Sequence, residues 1–533
     1  MTADCFKIAV VVDKSASRGP INQLLKSLRA CPQQFDISVV AVHPDQQPKN
    51  PGALLPRAIF KTLPTITSVK QRINLLALRL MFSFELSIVA KRRQYKWLTN
   101  DDNLNLTTAF NPGEVFDAVI WLSRCDPHMA APQVNGDRLQ LSFGPSPELF
   151  APSHKRQDSV DFSISLTSQG NGHSRKVISG SIMSANRWLL THANLTLKAH
   201  AFLIKLICER SKNGAWAQRQ PPSGHADTPE YAYVPRLRDV GNYALQTLFA
   251  HPLRKFWEKS VRRRAPIWSI SVMKGDGLAS DMSKAERVTN PQRRFLADPF
   301  VIQVQGQHYC FAEDFFADEK KGKISVLHLS DTGVSEPEVV LDEDVHLSFP
   351  FVFNHGDDVF MIPETSGAKQ IRLYKAHNFP HDWRLHKVII DHVDAADTVV
   401  FEKNGRWYLL TNICSASRAD HQSELHLFSA TDLVTDTWVP ANNNPIMFDS
   451  KKARNAGFFK RGDKFFRVNQ VQARAQYGYA FEINEITDIS PDSYSETCVK
   501  RVEPQTQNGM MRTHHYHYNG DYTVFDHSYV DKR

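Results

Sequence analysis

The sequence has few cysteines for its length, and they follow no pattern. Seven are scattered over 533 residues, an odd number without the spacing of a metal-binding motif. This usage fits a reducing compartment, and the cytoplasm is the predicted location. The histidine-rich run at 514–517 has no cysteine or carboxylate at ligand spacing, so no metal site is predicted.

Long hydrophobic runs are also missing. The longest apolar stretch, from Leu75 to Ala90, is interrupted by Arg79, Ser83 and Glu85 and is too short to span a bilayer comfortably. We interpret it as a core helix. The N-terminus opens on a short buried-strand pattern rather than a signal peptide. No glycine-rich phosphate loop follows that strand, because the sequence after Asp13 reads KSASRGP, so no cofactor is predicted.

Charge of one sign is concentrated in one short segment. The net charge of +8 is modest for this length, but residues 253–264 read LRKFWEKSVRRR, with six basic residues in twelve. The apolar residues fall on one face of a helix, which predicts a peripheral contact with an anionic inner-membrane surface. A solvated linker helix is the alternative interpretation. Nucleic acid is not a predicted partner, since no binding motif accompanies the charge.

The first third of the chain alternates strand and helix patterns. Continuous apolar strands are predicted at 6–13, 35–42 and 116–122. This alternation predicts a parallel α/β sheet domain, which we assign to residues 1–185. Residues 186–265 are assigned to a helical and basic linker region.

The C-terminal half repeats one pattern five times. Each copy is an alternating apolar run, a glycine turn and a second run rich in aromatic residues. The copies are DPFVIQVQGQHYCFAE (298–313), SFPFVFNHGDDVFMIP (348–363), DTVVFEKNGRWYLLTN (397–412), RNAGFFKRGDKFFRVN (454–469) and RTHHYHYNGDYTVFDH (512–527). Five hairpins at this spacing predict a five-bladed β-propeller over residues 266–533. The fold class is therefore multidomain, an α/β sheet domain followed by an all-β propeller.

Radial packing would gather the open ends of the five hairpins around one mouth of the central channel. Polar residues collect at these ends although the strand interiors are apolar, which predicts a ligand site. The carboxylates predicted to be catalytic are Asp298, Asp397 and Glu364. The residues predicted to bind substrate are Glu313, Arg454, Gln470, Arg512, His514 and His515.

Two kinds of chemistry fit this set, and the residues alone leave both open. Paired carboxylates suit acid–base catalysis at a glycosidic bond. The arginines instead suit a bidentate clamp on a phosphate or carboxylate. At any single position, a turn former or a hydrogen bond to the neighbouring blade is the alternative role.

The segments FLADPFVIQVQGQHYCFAED, SFPFVFNHGDDVFMIPETS, ADTVVFEKNGRWYLLTN and YGYAFEINEI carry a family resemblance over residues 290–533. They resemble the N-terminal domain of plant glucosamine inositolphosphorylceramide transferases and their bacterial relatives. That group is similar to the five-bladed arabinanase-type glycoside hydrolases. The resemblance implies Asp298 as a catalytic base. It also implies a second-blade Asp near 350–351, which this sequence lacks, and it identifies no general acid.

The N-terminal 185 residues are similar to a formyltransferase-type α/β domain. The similarity rests on FDAVIWL (116–122) followed by GDRLQLSFGPSPEL (136–149). The family's histidine would come soon after this second strand, but the first histidine after it is His154. The resemblance therefore implies a degenerate domain without formyl transfer.

The leading hypothesis is a carbohydrate-active protein of surface glycan or glycolipid biosynthesis that binds a sugar, or an activated sugar, at the propeller mouth. It would transfer a glycosyl group, with the arginines facing a phosphate. The second hypothesis is a non-catalytic sugar-binding scaffold, and the third is a glycoside hydrolase. The sequence predicts no particular oligomeric state.

Overall fold

The computed structural model divides the chain into two compact units, Met1–Lys255 and Phe256–Arg533. No helix in the described part of the chain is long and apolar enough to cross a membrane. The basic segment 253–264 lies outside the described residues. The structure describes residues 6–13, 18–42, 69–92, 95–96, 115–122, 136–143, 155–169, 172–216, 236–250, 266–415, 420–474, 476–505 and 509–530.

The first unit contains one six-stranded sheet. Its strands are β1 (Phe6–Asp13), β2 (Phe35–Val42), β3 (Ala118–Trp121), β4 (Arg138–Phe143), β5 (Ser159–Thr167) and β6 (Ser174–Met183). They are ordered β2-β1-β3-β4-β5-β6. The first four are parallel, whereas β5 and β6 add antiparallel pairs. A parallel α/β domain over residues 1–185 stays a prediction, since much of that range lies outside the described residues.

Four α-helices accompany this sheet in the described residues. They are α1 (Arg18–Arg29), α2 (Val69–Val89), α3 (Trp188–Asn213) and α4 (Leu237–Ala244), the last continued by a π-helical turn (Leu245–Ala250). Helix α3 packs on α1, α2 and β5, so the region assigned to a linker contains a helix of the first unit. The start of α3 is held by Glu85, which accepts a hydrogen bond from Leu189 N at 2.8 Å and another from the Tyr243 hydroxyl.

Two cysteines of the first unit lie close enough to form a disulfide. Cys208 Sγ is 3.7 Å from Cys31 Sγ, across 177 residues of chain. Burial and the neighbouring Cys31 raise the pKa of Cys208 to about 12, so its reactive thiolate is scarce at neutral pH.

With oxidised glutathione, a slow Cys31–Cys208 disulfide is therefore expected, faster at alkaline pH. Each thiol loses its proton, and the two electrons reduce glutathione disulfide to two glutathione thiols. Closing so long a loop stabilises the fold by about 4–5 kcal/mol in the chain-entropy model. Peptide mapping without reductant measures the bond, and Cys31→Ser is the control. Free thiols at both positions after prolonged oxidation would contradict the expectation.

The second unit opens with β7 (Pro266–Lys274), a 3₁₀ turn (Met282–Lys284) and β8 (Glu286–Arg287). Four blades follow in chain order. Blade 1 is β9 (Arg294–Val304), β10 (Gln307–Phe316), β11 (Lys321–Ser330), β12 (Gly333–Val334) and β13 (Glu338–Leu341). Blade 2 is β14 (Ser348–His355), β15 (Asp358–Glu364), β16 (Gln370–Asn378) and β17 (Asp382–Asp391), with a 3₁₀ turn at Ser366–Ala368.

Blade 3 is β18 (Ala395–Lys403), β19 (Arg406–Ile413), β20 (Glu424–Ala430), β21 (Val439–Pro440) and β22 (Met447–Phe448). Blade 4 is β23 (Asn455–Arg461), β24 (Lys464–Ala473), β25 (Gln476–Ile489) and β26 (Tyr494–Val502). Blade 5 contains β27 (Met510–Arg512), β28 (Tyr516–Tyr518) and β29 (Tyr522–Val530). The predicted five-bladed propeller is confirmed.

The fifth blade joins the two ends of the unit. Strand β29 pairs with β7 over nine residues, from Tyr522 opposite Lys274 to Val530 opposite Pro266. Strand β8 then pairs with β7. The ring of blades is therefore closed by backbone hydrogen bonds between its first and last strands, which leaves neither strand as a free edge.

The repeated glycines are the turns of the five inner hairpins, as the pattern predicts. All have a positive φ, with values between 58° and 105°, the region that glycine enters without steric cost. Aromatic residues of the hairpins pack between blades. Phe401 of the third hairpin, for example, stacks on Phe458 of the next blade with ring centres 4.6 Å apart.

Candidate active site at the propeller mouth

A cavity of about 210 Å³ lies at the mouth of the propeller channel. Its wall is rich in carboxylates and in aromatic rings, the combination that sugar sites use. The lining residues are Trp268, Phe295, Ala297, Asp298, Glu313, His346, Ser348, Glu364, Arg454, Tyr477 and His514.

The innermost strand of blades 1–4 has a bulge near the mouth, and blade 5 has an equivalent position. In blades 1–4 the register of the inner hairpin shifts at the end nearest the mouth. Regular pairing resumes at Phe300, Phe351, Val399 and Phe458, and in blade 5 the pairing of β28 begins at Tyr516. Two residues before these positions stand Asp298, Phe349, Asp397, Ala456 and His514.

The bulge changes which residues are equivalent between blades. Aligned on their turn glycines, the five sequence copies begin at Asp298, Ser348, Asp397, Arg454 and Arg512. That alignment made Arg454 and Arg512 equivalent to Asp298, whereas the equivalent residues are Ala456 and His514. The number of residues between bulge and turn differs from blade to blade, so counting from the glycine fails. In blades 1–3 the bulge residue has a left-handed backbone, with φ of 50°, 45° and 50°. Aspartate tolerates this conformation far better than the phenylalanine of blade 2.

Asp526 holds the first-blade carboxylate in place. It is fully buried and accepts hydrogen bonds from the backbone N–H groups of His514 and His515 at 3.0 Å and of Asp298 at 3.2 Å. Its Oδ2 is also 2.7 Å from His514 Nδ1. One carboxylate thus fixes the bulge in β9 and the orientation of the imidazole.

His514 bridges two carboxylates. Its Nε2 is 3.5 Å from Asp298 Oδ1, opposite the contact with Asp526. Burial alone would lower the pKa of His514, but the charges of Asp526 and Asp298 outweigh it and raise the pKa. Burial would likewise raise the pKa of Asp298, but the His515 hydrogen bond and neighbouring cations lower it to about 2. Asp298 is therefore an anion at neutral pH.

The pKa of Glu313 is shifted in the opposite direction. Burial, followed by the charges of Asp298 and Glu364, raises it well above the usual range. His346 Nε2 lies 3.4 Å from Glu313 Oε1, and the pKa of His346 is lowered, chiefly by burial. Since His346 Nδ1 accepts from Gly322 N at 2.8 Å, the hydrogen of the neutral ring is assigned to Nε2, facing Glu313. One cavity thus holds a carboxyl with a lowered pKa and a carboxyl with a raised pKa.

Stability is expected to depend on pH through Glu313. Because its folded pKa is raised, the folded protein keeps a proton that the unfolded chain releases above about pH 4.5. Stability is therefore lost as the pH rises from there towards the folded pKa, by about 1.4 kcal/mol per pH unit. Urea unfolding at several pH values should show this loss in the wild type and in the exposed control Glu336→Gln. The loss should be smaller in Glu313→Gln but should not vanish there, because burial also raises the pKa of Asp397. Parallel curves for all three would contradict the assignment.

Arg454 is already neutralised by protein carboxylates. Its Nε donates to Asp397 Oδ2 at 2.6 Å, and its Nη2 is 3.7 Å from Glu364 Oε2. Burial would lower the pKa of Arg454, but Asp397, Tyr477 and Glu364 raise it. The phosphate clamp predicted for this arginine is therefore not available within the cavity.

The other predicted residues lie behind the lining or beside it. Asp397 is 2% exposed and lies beneath Arg454. Gln470 is 1% exposed and donates to the Tyr477 hydroxyl at 3.1 Å, so it supports an aromatic wall. His515 is fully buried between Phe300 and Phe349, with its Nδ1 3.6 Å from Asp298 Oδ1. Of the nine predicted residues, Asp298, Glu313, Glu364, Arg454 and His514 line the cavity.

Arg512 lies beside an aromatic wall of the cavity without lining it. Its Nε donates to Ser528 Oγ at 3.2 Å, and its guanidinium carbon is 5.2 Å from the centre of the Trp268 ring. The same indole lies 4.1 Å from the His514 ring. Trp268 thus contacts both a lining residue and Arg512.

Asn412, at the end of the third hairpin, has a structural role: it forms hydrogen bonds to the neighbouring blade, the alternative to ligand binding given above. Asn412 donates from Nδ2 to Glu424 O and Ala453 O at 2.8 Å, and its Oδ1 accepts from Asn455 N. These bonds tie blade 3 to blade 4. A buried amide between blades satisfies backbone groups that would otherwise be unpaired.

Asp298, His514 and Asp526 present ligand atoms within 4.8 Å of one another, close enough to hold a metal ion. Asp526, however, already accepts three backbone hydrogen bonds, and His514 supplies the positive charge between the two carboxylates. The absence of a metal site stays a prediction.

Sequence reasoning missed Trp268, His346, Tyr477 and Asp526. Asp526 directly precedes His527, the last residue of the fifth repeat. In the first repeat two neighbouring residues, Glu313 and Asp314, are both carboxylates at this end. That pair is a signal that the residue beside the repeat end can also face the site. Trp268 belongs to β7, whose place in blade 5 depends on pairing across 250 residues. No local pattern indicates it.

Comparisons with known proteins agree on the propeller. Residues 279–521 match the family model described as "Glucosamine inositolphosphorylceramide transferase 1, N-terminal". Glucosamine inositolphosphorylceramide transferase 1 of Arabidopsis thaliana is 32% identical over 285 residues, which are 47% of this chain and 36% of that protein. The protein of the same name in Oryza sativa subsp. japonica is 30% identical over 232 residues, 42% of this chain and 31% of that protein. The chain thus spans about a third of the length of these curated relatives.

Among solved structures, the catalytic domain of a Coprinopsis cinerea GH62 α-L-arabinofuranosidase matches 49% of this chain and 97% of that chain. The identity is 9% and the TM-score is 0.34, a level that carries no argument about this protein. The sequence matches are the informative ones. By these matches, the propeller of this chain is similar to the N-terminal region of the glucosamine inositolphosphorylceramide transferase 1 family, and the resemblance found in the sequence is confirmed.

Proposed function

We propose that the protein binds a sugar in the mouth cavity and transfers a glycosyl group in the biosynthesis of a surface glycan or glycolipid. The observation that carries the proposal is the pair of oppositely shifted carboxyls, Asp298 and Glu313, in one cavity with aromatic walls. Two carboxyl groups kept in different protonation states are the arrangement of acid–base catalysis at glycosidic bonds. The name of the related plant proteins, a glycolipid glycosyltransferase, supports the substrate class.

The two carboxyls take complementary roles. Glu313 holds a proton that it can give to the oxygen of a departing sugar or alcohol. Asp298 is an anion that can accept a proton from the attacking hydroxyl group or stabilise positive charge at the anomeric carbon. A proton donor is useful for an alkoxide leaving group rather than a phosphate. The carboxylates around the cavity also repel a phosphate there, which favours a glycoside as donor.

We also propose roles for the N-terminal unit and for the basic segment 253–264. The N-terminal unit is a degenerate formyltransferase-like α/β domain, supported by the parallel order of β2, β1, β3 and β4. The protein is cytoplasmic and held at the inner membrane by the basic residues 253–264, supported by their sequence pattern alone.

The test is a thermal-shift screen of wild type, Asp298→Asn and the exposed control Asp331→Asn. Simple oligosaccharides, nucleotide sugars and a formyl-folate are the ligands. A sugar at 100 times its dissociation constant is expected to stabilise the native state by about 2.7 kcal/mol. Asp298→Asn is expected to abolish glycan production while the variant stays folded. Normal glycan made by that variant would contradict the proposal.

The second candidate is a non-catalytic sugar-binding scaffold. The ion pair of Asp397 with Arg454 favours it, because a predicted catalytic carboxylate is occupied by a protein cation. It is supported if Asp298→Asn and the wild type bind the same sugar equally and support the same glycan yield.

A further inference from the structure

The two arginines predicted to face a phosphate have different surroundings. Arg454 is 12% exposed and has two carboxylate partners. Arg512 is half-buried, and among the described residues it makes one hydrogen bond, to a hydroxyl, and one contact with an aromatic face. No carboxylate of the described residues lies within ion-pair distance of Arg512. A half-buried guanidinium without a protein counter-ion can take its negative charge from a ligand.

We infer that Arg512 forms an anion subsite on the rim of the mouth cavity, which binds the phosphoryl group of a ligand whose sugar lies inside the cavity. The inference rests on the proposed function for the sugar, but the anion subsite has its own observations. Arg512 ends β27 opposite Ser528, which lies opposite Trp268 on β7. Three adjacent strands of blade 5 therefore place the guanidinium against the indole that lines the cavity.

The two contacts of Arg512 orient its guanidinium group. Ser528 Oγ takes the Nε hydrogen, and the Trp268 face lies beside the guanidinium carbon as in a cation–π contact. The Nη hydrogens are left for a ligand. Two parallel N–H groups match the oxygens of a phosphoryl group, which makes such pairs short and strong. Burial lowers the pKa of Arg512, as expected of a cation whose charge the protein does not compensate.

The distribution of charge fixes which part of the ligand lies where. Inside the cavity, Asp298 and Glu364 repel anions, and Arg454 is already neutralised. Trp268 lines the cavity and contacts both His514, which also lines it, and Arg512, which does not. A neutral or cationic sugar fits within, and the phosphoryl group lies outside, away from the reacting bond. The ligand class is a phosphorylated sugar or a glycan joined to a lipid through a phosphoryl group.

Arginine labelling of the full-length wild type tests the subsite without any substitution. Phenylglyoxal is added with and without inorganic phosphate at constant ionic strength, and modification is measured by peptide mass spectrometry. At phosphate ten times its dissociation constant, Arg512 is expected to react about tenfold more slowly, since only the free fraction reacts. Arg384, an exposed arginine of blade 2 paired with Asp382, is the internal control and is expected to react equally in both samples.

Two further arms identify the source of the phosphoryl group. Glucose 1-phosphate and vesicles containing phosphatidic acid are compared at equal phosphoryl concentration. Stronger protection by the first indicates a soluble sugar phosphate, and stronger protection by the second indicates a lipid-linked group. Equal labelling of Arg512 with and without every probe would overturn the inference, and so would equal protection of Arg512 and Arg384.

Calorimetric titration of phosphate adds a test on variants. Arg512→Gln is expected to weaken binding about tenfold or more, Arg512→Lys to retain part of it, and Arg384→Gln to leave it unchanged. Unchanged phosphate affinity in a folded Arg512→Gln protein would overturn the subsite. Phosphate protection without any sugar binding would reject the proposed function and keep the subsite, whereas sugar binding without protection would reject only the subsite.

Discussion

Replacing Asp526 with alanine is expected to lower the free energy of unfolding of the propeller by about 3–5 kcal/mol, the cost of removing one partner of a buried ion pair. The substitution leaves three backbone N–H groups without an acceptor and the His514 ring without its nearest carboxylate. The left-handed bulge residue of β9, Asp298, would lose the hydrogen bond that fixes its backbone. The effect is therefore expected to reach the mouth cavity as well as the fold.

Chemical unfolding of the full-length variants measures this loss. Asp526→Asn keeps an oxygen acceptor and is expected to lose less, about 1.5–3 kcal/mol, because a charged acceptor becomes neutral. Asp331→Ala is the control, since that carboxylate is 82% exposed and pairs only with an exposed lysine; a change within about 1 kcal/mol is expected there. If Asp526→Ala unfolds like the control, Asp526 is not the hub of the mouth.

A propeller fragment that lacks β7 is expected not to fold. Strand β7 supplies nine paired residues to β29, and its Ile270 and Val272 are buried in the core between blades 5 and 1. Each fully buried side chain of this size contributes about 1.5–3 kcal/mol. The last strand would also expose a row of unpaired backbone groups.

Two fragments make the comparison direct. Residues 256–533 contain β7 and are expected to melt cooperatively by circular dichroism, whereas residues 276–533 lack it and are expected to show no cooperative transition. A synthetic peptide of residues 266–274 added to the shorter fragment is expected to restore structure by pairing with β29. A shorter fragment that melts at the same temperature as the longer one would show that the closure contributes little.

The contrast between β7 and the other strands explains what sequence could predict. The five inner hairpins are local, since each consists of two alternating runs and a glycine turn within about sixteen residues, so their pattern is visible in the chain. The pairing of β7 with β29 joins residues more than 240 positions apart. Nothing in the run WSISV distinguishes a strand that completes the last blade from one that begins the first.

For the candidate site, the sequence likewise predicted the features that depend on local pattern and not those that depend on contacts between blades. Asp298 and Glu313 were found because strand ends of successive hairpins meet at one mouth. Their roles were not, since a protonated Glu313 and an ionised Asp298 depend on burial and on His514 and His515 in another blade. The pairing of Arg454 with Asp397 crosses from blade 4 to blade 3, and counting along the chain assigned Arg454 to a ligand instead.

The bulges also separate the frame of the propeller from its chemistry in evolutionary terms. Each inner hairpin has one equivalent position at its mouth end, occupied by Asp298, Phe349, Asp397, Ala456 and His514. Phe349 and Ala456 belong to the hydrophobic cores and Asp397 lies beneath Arg454, whereas Asp298 and His514 line the cavity. A lineage can therefore change what the mouth recognises by substitutions at the positions of Asp298 and His514, while selection on folding acts on the other three.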